Sequence, residues 1–131
     1  MIFGVGIDIV EIDRIAASYA RFGERFARRI LGAREFERFQ ARRARSAKRG
    51  LAFLSTRFAG KEAVAKALGL GMRSPMRWHA VEILNDASGR PHASVDADLG
   101  RYVERHKLRL HVSLTDEQTT AAAYAIAEIV E

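Results

Sequence analysis

One acidic residue stands alone in an apolar N-terminal run, Met1-Ile2-Phe3-Gly4-Val5-Gly6-Ile7-Asp8-Ile9-Val10-Glu11-Ile12. The β-branched content reads as a buried strand. A carboxylate is costly to bury there unless it is hydrogen-bonded, paired with a cation, or holding a metal. Two readings of Asp8 stay open. It either ends the strand and caps a helix starting near Ile12, a task Asp13 is equally suited to, or it is hydrogen-bonded, paired with a cation or holding a metal.

A second stretch, Arg57-Phe58-Ala59-Gly60-Lys61-Glu62-Ala63-Val64-Ala65-Lys66-Ala67-Leu68-Gly69, sets one carboxylate and two lysines among small alanines and then stops at glycine. On a helix Glu62 and Lys66, four apart, share a face, whereas Lys61 projects about a quarter turn away. Lys66 can pair with Glu62 along the helix and also meet an anion. The spacing predicts a long helix from about Ser46 to Leu68 with Leu51, Leu54, Phe58 and Ala65 inward, ended by Gly69, Gly71 and Pro75.

Elsewhere the period changes along the chain. Ile12, Ile15, Ala16 and Tyr19 follow the spacing of a buried helical face while Arg14, Ser18, Arg21 and Arg25 lie on another, and Gly23 is a point of interruption. Residues 35–49 read as helix or loop with Phe36 and Phe39 inward. Ala80 to Leu84 alternates as a strand and the polar Asn85 to Pro91 turns the chain back, which predicts a hairpin. Residues 95–107 return to helical spacing. Leu108 to Thr115 and Thr120 to Val130 read as two further strands, the first with Leu110, Val112 and Leu114 on one side and Arg109, His111, Ser113 and Thr115 on the other. The last is apolar on both sides, as a central strand would be, though its alanines equally allow a helix. The sum is an α+β chain, one compact domain with a long central helix packed on a small, mainly antiparallel sheet.

Length and composition agree: 131 residues at 48% hydrophobic content suit one core. Cysteine is absent, so disulfides and thiolate ligands are excluded and a metal would be held by oxygen or imidazole. No cationic leader precedes the short apolar start and no run reaches the length needed to cross a bilayer, which predicts a cytoplasmic protein. Twelve of the 22 basic residues, against three of the 16 acidic ones, fall between Arg14 and Arg49, so the net charge of +6 comes from that region alone. Such a run is a solvated face or a docking site for an acidic partner, nucleic acid included.

Four segments, Gly6-Ile7-Asp8-Ile9-Val10-Glu11-Ile12, Arg57-Phe58-Ala59-Gly60-Lys61-Glu62-Ala63, Gly89-Arg90-Pro91 and His111-Val112-Ser113-Leu114-Thr115, together resemble the holo-(acyl carrier protein) synthases, the small bacterial type of 4′-phosphopantetheinyl transferase, in order and in separation. The resemblance spans nearly the whole chain. It implies transfer of 4′-phosphopantetheine from coenzyme A to a serine of apo-acyl carrier protein in support of fatty acid biosynthesis. It also implies Mg²⁺ held by Asp8 and Glu62, and a trimer with sites between subunits. Further implied are a first helix that grips the acidic carrier through Arg14 and Arg21, flanked by Arg25, Phe26 and Arg29, and a nucleotide end lined by Arg57, Gly89, Arg90 and Pro91. Phe26 reads as an apolar anchor or as core.

Splitting a pyrophosphate develops charge on the transferred phosphoryl group and on the leaving bisphosphate, so cations and positioning are the natural equipment. Asp8 and Glu62 suit Mg²⁺ as oxygen ligands, and Lys66, beside Glu62 and just before Gly69, suits the pyrophosphate. Asp8, Glu62 and Lys66 are therefore the expected catalytic residues, with Lys66, Gly69, Ser113 and Thr115 further coenzyme A candidates. The general base stays unassigned. Asp116 stands where many family members have histidine, and His111 reads as structural. Two rival functions remain: a small basic nucleic-acid-binding protein, which leaves Asp8 and Glu62 unexplained, and a non-catalytic module that binds acidic helices through residues 14–29.

Overall fold

The computed structural model describes residues 1–131. Strand β1 (Ile2–Glu11) runs directly into helix α1 (Ile12–Phe22), and Gly23, at φ 62°, breaks the chain before α2 (Glu24–Ile30). Helix α3 (Ala33–Arg45) and helix α4 (Ala47–Ala67) follow, then a 3-10 turn (Trp78–Ala80), β2 (Val81–Asn85), β3 (Pro91–Val95), α5 (Ala97–Arg105), β4 (Leu108–Asp116) and β5 (Thr120–Ile129). Glu11 precedes α1 without a side-chain cap, so neither Asp8 nor Asp13 does that work.

The strands form two separate antiparallel sheets rather than one: β1-β5-β4, and the hairpin β2-β3. β5 is the central strand, which explains its two apolar sides. Where the sequence left residues 35–49 undecided, a helix ends at Arg45 and the next begins at Ala47. The cause is Ser46, whose Oγ accepts the Arg49 amide at 3.3 Å and caps α4. The helical pattern expected from residue 95 starts at Ala97, because Val95 still pairs with Val81 in the hairpin and Asp96 caps the helix through the Leu99 amide.

Register assembles the inner face of the larger sheet. Gly4, Gly6, Asp8 and Val10 of β1 lie opposite Ala127, Ala125, Ala123 and Ala121 of β5, and Leu110, Val112 and Leu114 of β4 lie opposite three of the same alanines. This face packs on α4, which is buried on almost every side, Arg57 and Lys61 included among its small and apolar residues. The approach is close. A Cβ at Gly6 would fall on the Ala63 carbonyl oxygen, one at Gly4 on that of Ala67, and one at Gly60 would sit 2.6 Å from Ile83 Cδ1. Glycines on β1 against alanines on α4 thus bring strand and helix backbones together, and Asp8, next on the same face of β1, is carried against the α4 surface bearing Glu62 and Lys66.

Leu51 and Phe58, expected inward on α4, are only half-buried, whereas Leu54 and Ala65 are fully enclosed. With helices and strands on several sides of α4 there is no single inner stripe. The outer face of the larger sheet is different: Val5, Ile7 and Tyr124 lie there 53%, 56% and 42% exposed, beside the polar His111, Ser113 and Thr115 of β4.

Candidate active site

Asp8 and Glu62, 54 positions apart in sequence, line one cleft of about 310 Å³ together with Ile9, Val10, Arg14, Ile15, Ser18, Phe26 and Phe58. β1 supplies the first acid, α4 the second, and α1 and α2 the far wall. The Asp8 carboxylate is mostly enclosed and is answered by Lys66, whose Nζ lies 3.3 Å from Asp8 Oδ1 and donates to the Ile7 carbonyl at 2.9 Å. Lys66 therefore bridges back to β1 and makes no ion pair with Glu62, the partner that helix spacing alone offers. The close glycine–alanine seam makes the strand acid the nearer one.

Glu62 is left with a carboxyl pushed above its ordinary range, first by burial and then by the negative charge of Asp8, with Lys66 pulling the other way. Two carboxylates in one cleft, one of them strained toward protonation by the other, form a site that a divalent cation relieves. No third His, Cys, Asp or Glu joins them into a cluster. Two acids with remaining positions left to water and substrate oxygens is the donor set that suits Mg²⁺, so the residues fit the ion that the sequence suggests.

Lys61 points elsewhere. Its ammonium is fully buried and donates to Glu35 Oε1 (2.6 Å), the Ile30 carbonyl (2.6 Å) and the Trp78 carbonyl (2.8 Å). Burial lowers its pKa, with Glu35 opposing that shift.

The basic helices continue the cleft outward. Arg25, Phe26 and Arg29 line an adjoining depression of about 310 Å³ with Ser18 and Phe22, and Ser18 and Phe26 are common to both hollows. Phe26 is thus a cleft wall while still packing against the core. Arg21 stays outside both and lies over the Phe22 ring, 5.1 Å from its centroid. Phe22 and Ser18 were missed by sequence reasoning. Phe22 continues the apolar spacing of Ile15 and Tyr19 and so reads as a core residue, yet it is 50% exposed; Ser18 gave no signal beyond its place on the basic stripe.

A second cleft, of about 170 Å³, brings Arg57, Gly89 and Pro91 together with Arg42, Ala52, Phe53, Thr56, Asn85, Leu114 and Asp116. Arg57 is buried, and its guanidinium is heavily engaged: it donates to the Ile83 carbonyl at 3.0 Å, to Thr56 Oγ1 and Asn85 Oδ1 at 3.1 Å each, and stacks on Phe53 with 4.0 Å to the ring centroid. Burial pulls its pKa down to about 10, with Arg42 and Arg38 adding to the shift against Glu35. Arg90 is exposed and does not line the cleft; its backbone closes the hairpin turn on Asp86. Asp86 accepts from the Ser88 amide and hydroxyl and lies 2.7 Å from His92 Nε2, which together hold its carboxyl well below the usual range.

Gly69 sits at φ 73° just past α4, in neither cleft. Ser113 and Thr115 are exposed on the outer sheet face, away from the acids, while Leu114 and Asp116 between and beyond them turn to the second cleft. His111 Nε2 is 2.9 Å from Glu128 Oε1, an interstrand partnership across β4 and β5 that fits its structural reading.

The family model of the 4′-phosphopantetheinyl transferase superfamily matches residues 4–127. The chain belongs to that superfamily. A holo-[acyl-carrier-protein] synthase of Methylibium petroleiphilum is 50% identical over 131 residues, spanning 100% of this chain and 99% of that protein. Among solved phosphopantetheinyl transferase structures, the holo-[acyl-carrier-protein] synthase from Neisseria meningitidis shares the fold with a TM-score of 0.89 at 36% identity, covering 98% of this chain and 99% of that one. The holo-(acyl-carrier-protein) synthase from Bacillus anthracis, solved in complex with CoA (3′,5′-ADP), has a TM-score of 0.81 at 28% identity and covers 99% of each chain.

Proposed function

We propose that the protein transfers 4′-phosphopantetheine from coenzyme A to a serine hydroxyl of apo-acyl carrier protein, yielding holo-acyl carrier protein and adenosine 3′,5′-bisphosphate, in support of fatty acid biosynthesis. The observation that carries the reading is the meeting of Asp8 and Glu62 in a cleft whose outer wall is the basic α1–α2 pair. Relatives named holo-[acyl-carrier-protein] synthase, one of them bound to coenzyme A, support the same substrates. The nucleic-acid reading accounts for the charge but gives the paired carboxylates no task.

In the reaction the serine Oγ forms a bond to the β-phosphorus of coenzyme A, the pyrophosphate bridge to the adenosine 5′-phosphate breaks, and the serine proton leaves. Asp8 and Glu62 are assigned to hold Mg²⁺, which when bound neutralises charge on the pyrophosphate oxygens. Lys66, already tethered to β1 through Ile7 and Asp8, presents its ammonium at the same cleft and is assigned to the pyrophosphate. The serine proton leaves to a carboxylate or to a water held beside it, and the general base stays unassigned. Arg57, Gly89, Arg90 and Pro91 are assigned to the nucleotide end, with Arg57 acting chiefly by holding α4 to the hairpin. Arg14, Arg21, Arg25 and Arg29 meet the carrier's carboxylates and Phe26 its apolar side.

The exposed apolar face of Val5, Ile7 and Tyr124 supports assembly as a homotrimer through the outer sheet surface. Ser113 and Thr115 share that surface, so they reach coenzyme A only where subunits meet. A cytoplasmic setting is part of this proposal, argued from the substrates alone, and no helix is long and apolar enough to cross a membrane. The deciding experiment incubates the protein with apo-acyl carrier protein, coenzyme A and Mg²⁺ and reads the phosphopantetheine mass increment on the carrier. Absence of the increment on several folded carriers overturns the assignment.

A further inference from the structure

The buried Lys61–Glu35 pair has no place in the transfer chemistry, yet it occupies the junction of six backbone segments. Lys61 precedes Glu62 on α4, and its ammonium takes the Ile30 carbonyl at the end of α2, the Trp78 carbonyl of the 3-10 turn and Glu35 Oε1. Glu35, in the first turn of α3, also accepts the Gly32 amide (2.9 Å) from the α2–α3 link through Oε1 and the Ile83 amide (2.7 Å) from β2 through Oε2. Both side chains have no solvent exposure. The charges match the helix ends: a cation sits against the C-terminal carbonyl of α2, and an anion at the N-terminus of α3.

We infer that Lys61 and Glu35 are positioning residues that lock α2, and with it Arg25, Phe26 and Arg29, in fixed register against Glu62 on α4. α2 has seven residues and few other ties: Ala27 and Ile30 are its only fully buried side chains, and the His79 ring, with Nε2 2.6 Å from the Arg28 carbonyl, is exposed. The ion pair thus joins the helix that wraps the cleft to the residue before the acid within it. The inference rests on the transferase reading, because the register it fixes is that between a docked carrier serine and the carboxylate pair.

Lys61→Met alone leaves a buried carboxylate unpaired and is expected to unfold readily. The informative variant is Lys61→Met with Glu35→Gln, which nearly keeps the volume and removes both charges, so that no unpaired charge is left buried. The expected result is a folded double variant whose KM for coenzyme A is unchanged, whose kcat/KM for carrier falls about tenfold to a hundredfold, and whose α2 amides exchange hydrogen faster while those of α4 do not. A double variant that recovers stability and transfers to carrier at the unsubstituted rate, or whose α2 amides keep their protection, overturns the inference. If the unsubstituted protein fails to transfer, the transferase reading falls, and α2 exchange still decides whether the pair holds that helix.

Discussion

Glu62 is ionised against its surroundings. Burial first, and then the Asp8 charge, raise its pKa above the ordinary glutamate value, so a proton binds the folded chain more readily than the unfolded one. The stability this proton contributes is complete below the ordinary glutamate range and is lost as pH rises through the raised value. Glu62→Gln, in chelator, is therefore expected to melt higher than the unsubstituted protein at neutral pH and at the same temperature below about pH 4, by calorimetry. The same substitution is expected to cut transfer by about a hundredfold or more while carrier binding persists. Mg²⁺ should raise the melting temperature of the unsubstituted protein but not of the variant, which tests the ligand assignment without turnover. Lys61 calls for the opposite treatment. Its partner Glu35 is fully enclosed, so Lys61→Met is expected to lose about 3–5 kcal/mol in urea unfolding, the usual result of orphaning one half of a buried pair.

At the scale of elements, the seam between β1 and α4 sets where the acids meet. A methyl at Gly6 would strike the Ala63 carbonyl and come within 2.9 Å of the Ala67 amide nitrogen, both backbone atoms with no freedom to yield. Gly6→Ala is expected to cost about 1–3 kcal/mol and, because Asp8 is two residues further on the same face, to depress transfer at temperatures where the variant is still folded. Gly69→Ala is a control of another kind: nothing lies within 4 Å, and only its φ of 73° resists a side chain. The N-terminal strand, the α4 boundaries, the hairpin and the centrality of β5 were legible because period and turn chemistry are local signals. The Asp8–Lys66 and Lys61–Glu35 partnerships were not, since periodicity tells which way a residue faces on its own element and nothing of what is packed opposite. The Lys66–Glu62 pairing offered by helix spacing lost to a partner 58 residues away, brought close by two glycines.

Across the whole molecule, two surfaces are out of balance with the rest. Residues 14–49 hold all the net positive charge, and Arg14 lies in the wall of the acid cleft. Arg14→Glu is expected to raise the KM for carrier most at low ionic strength, with the difference shrinking as salt screens the field, and to leave coenzyme A binding intact. The second surface is the outer sheet face. Val5 and Ile7 are more than half exposed on it, and an exposed position tolerates substitution within about 0.5 kcal/mol when nothing covers it. Val5→Lys with Ile7→Lys therefore leaves a lone chain almost as stable as before. If three copies bury this face, the added charges must be desolvated between subunits, so the variant should sediment as a monomer with its secondary structure intact. Transfer should fail with it, because Ser113 and Thr115 on the same face would no longer stand beside a neighbour's cleft. A variant that remains trimeric, or a monomeric one that transfers at the full rate, would remove the outer sheet from any part in the active assembly.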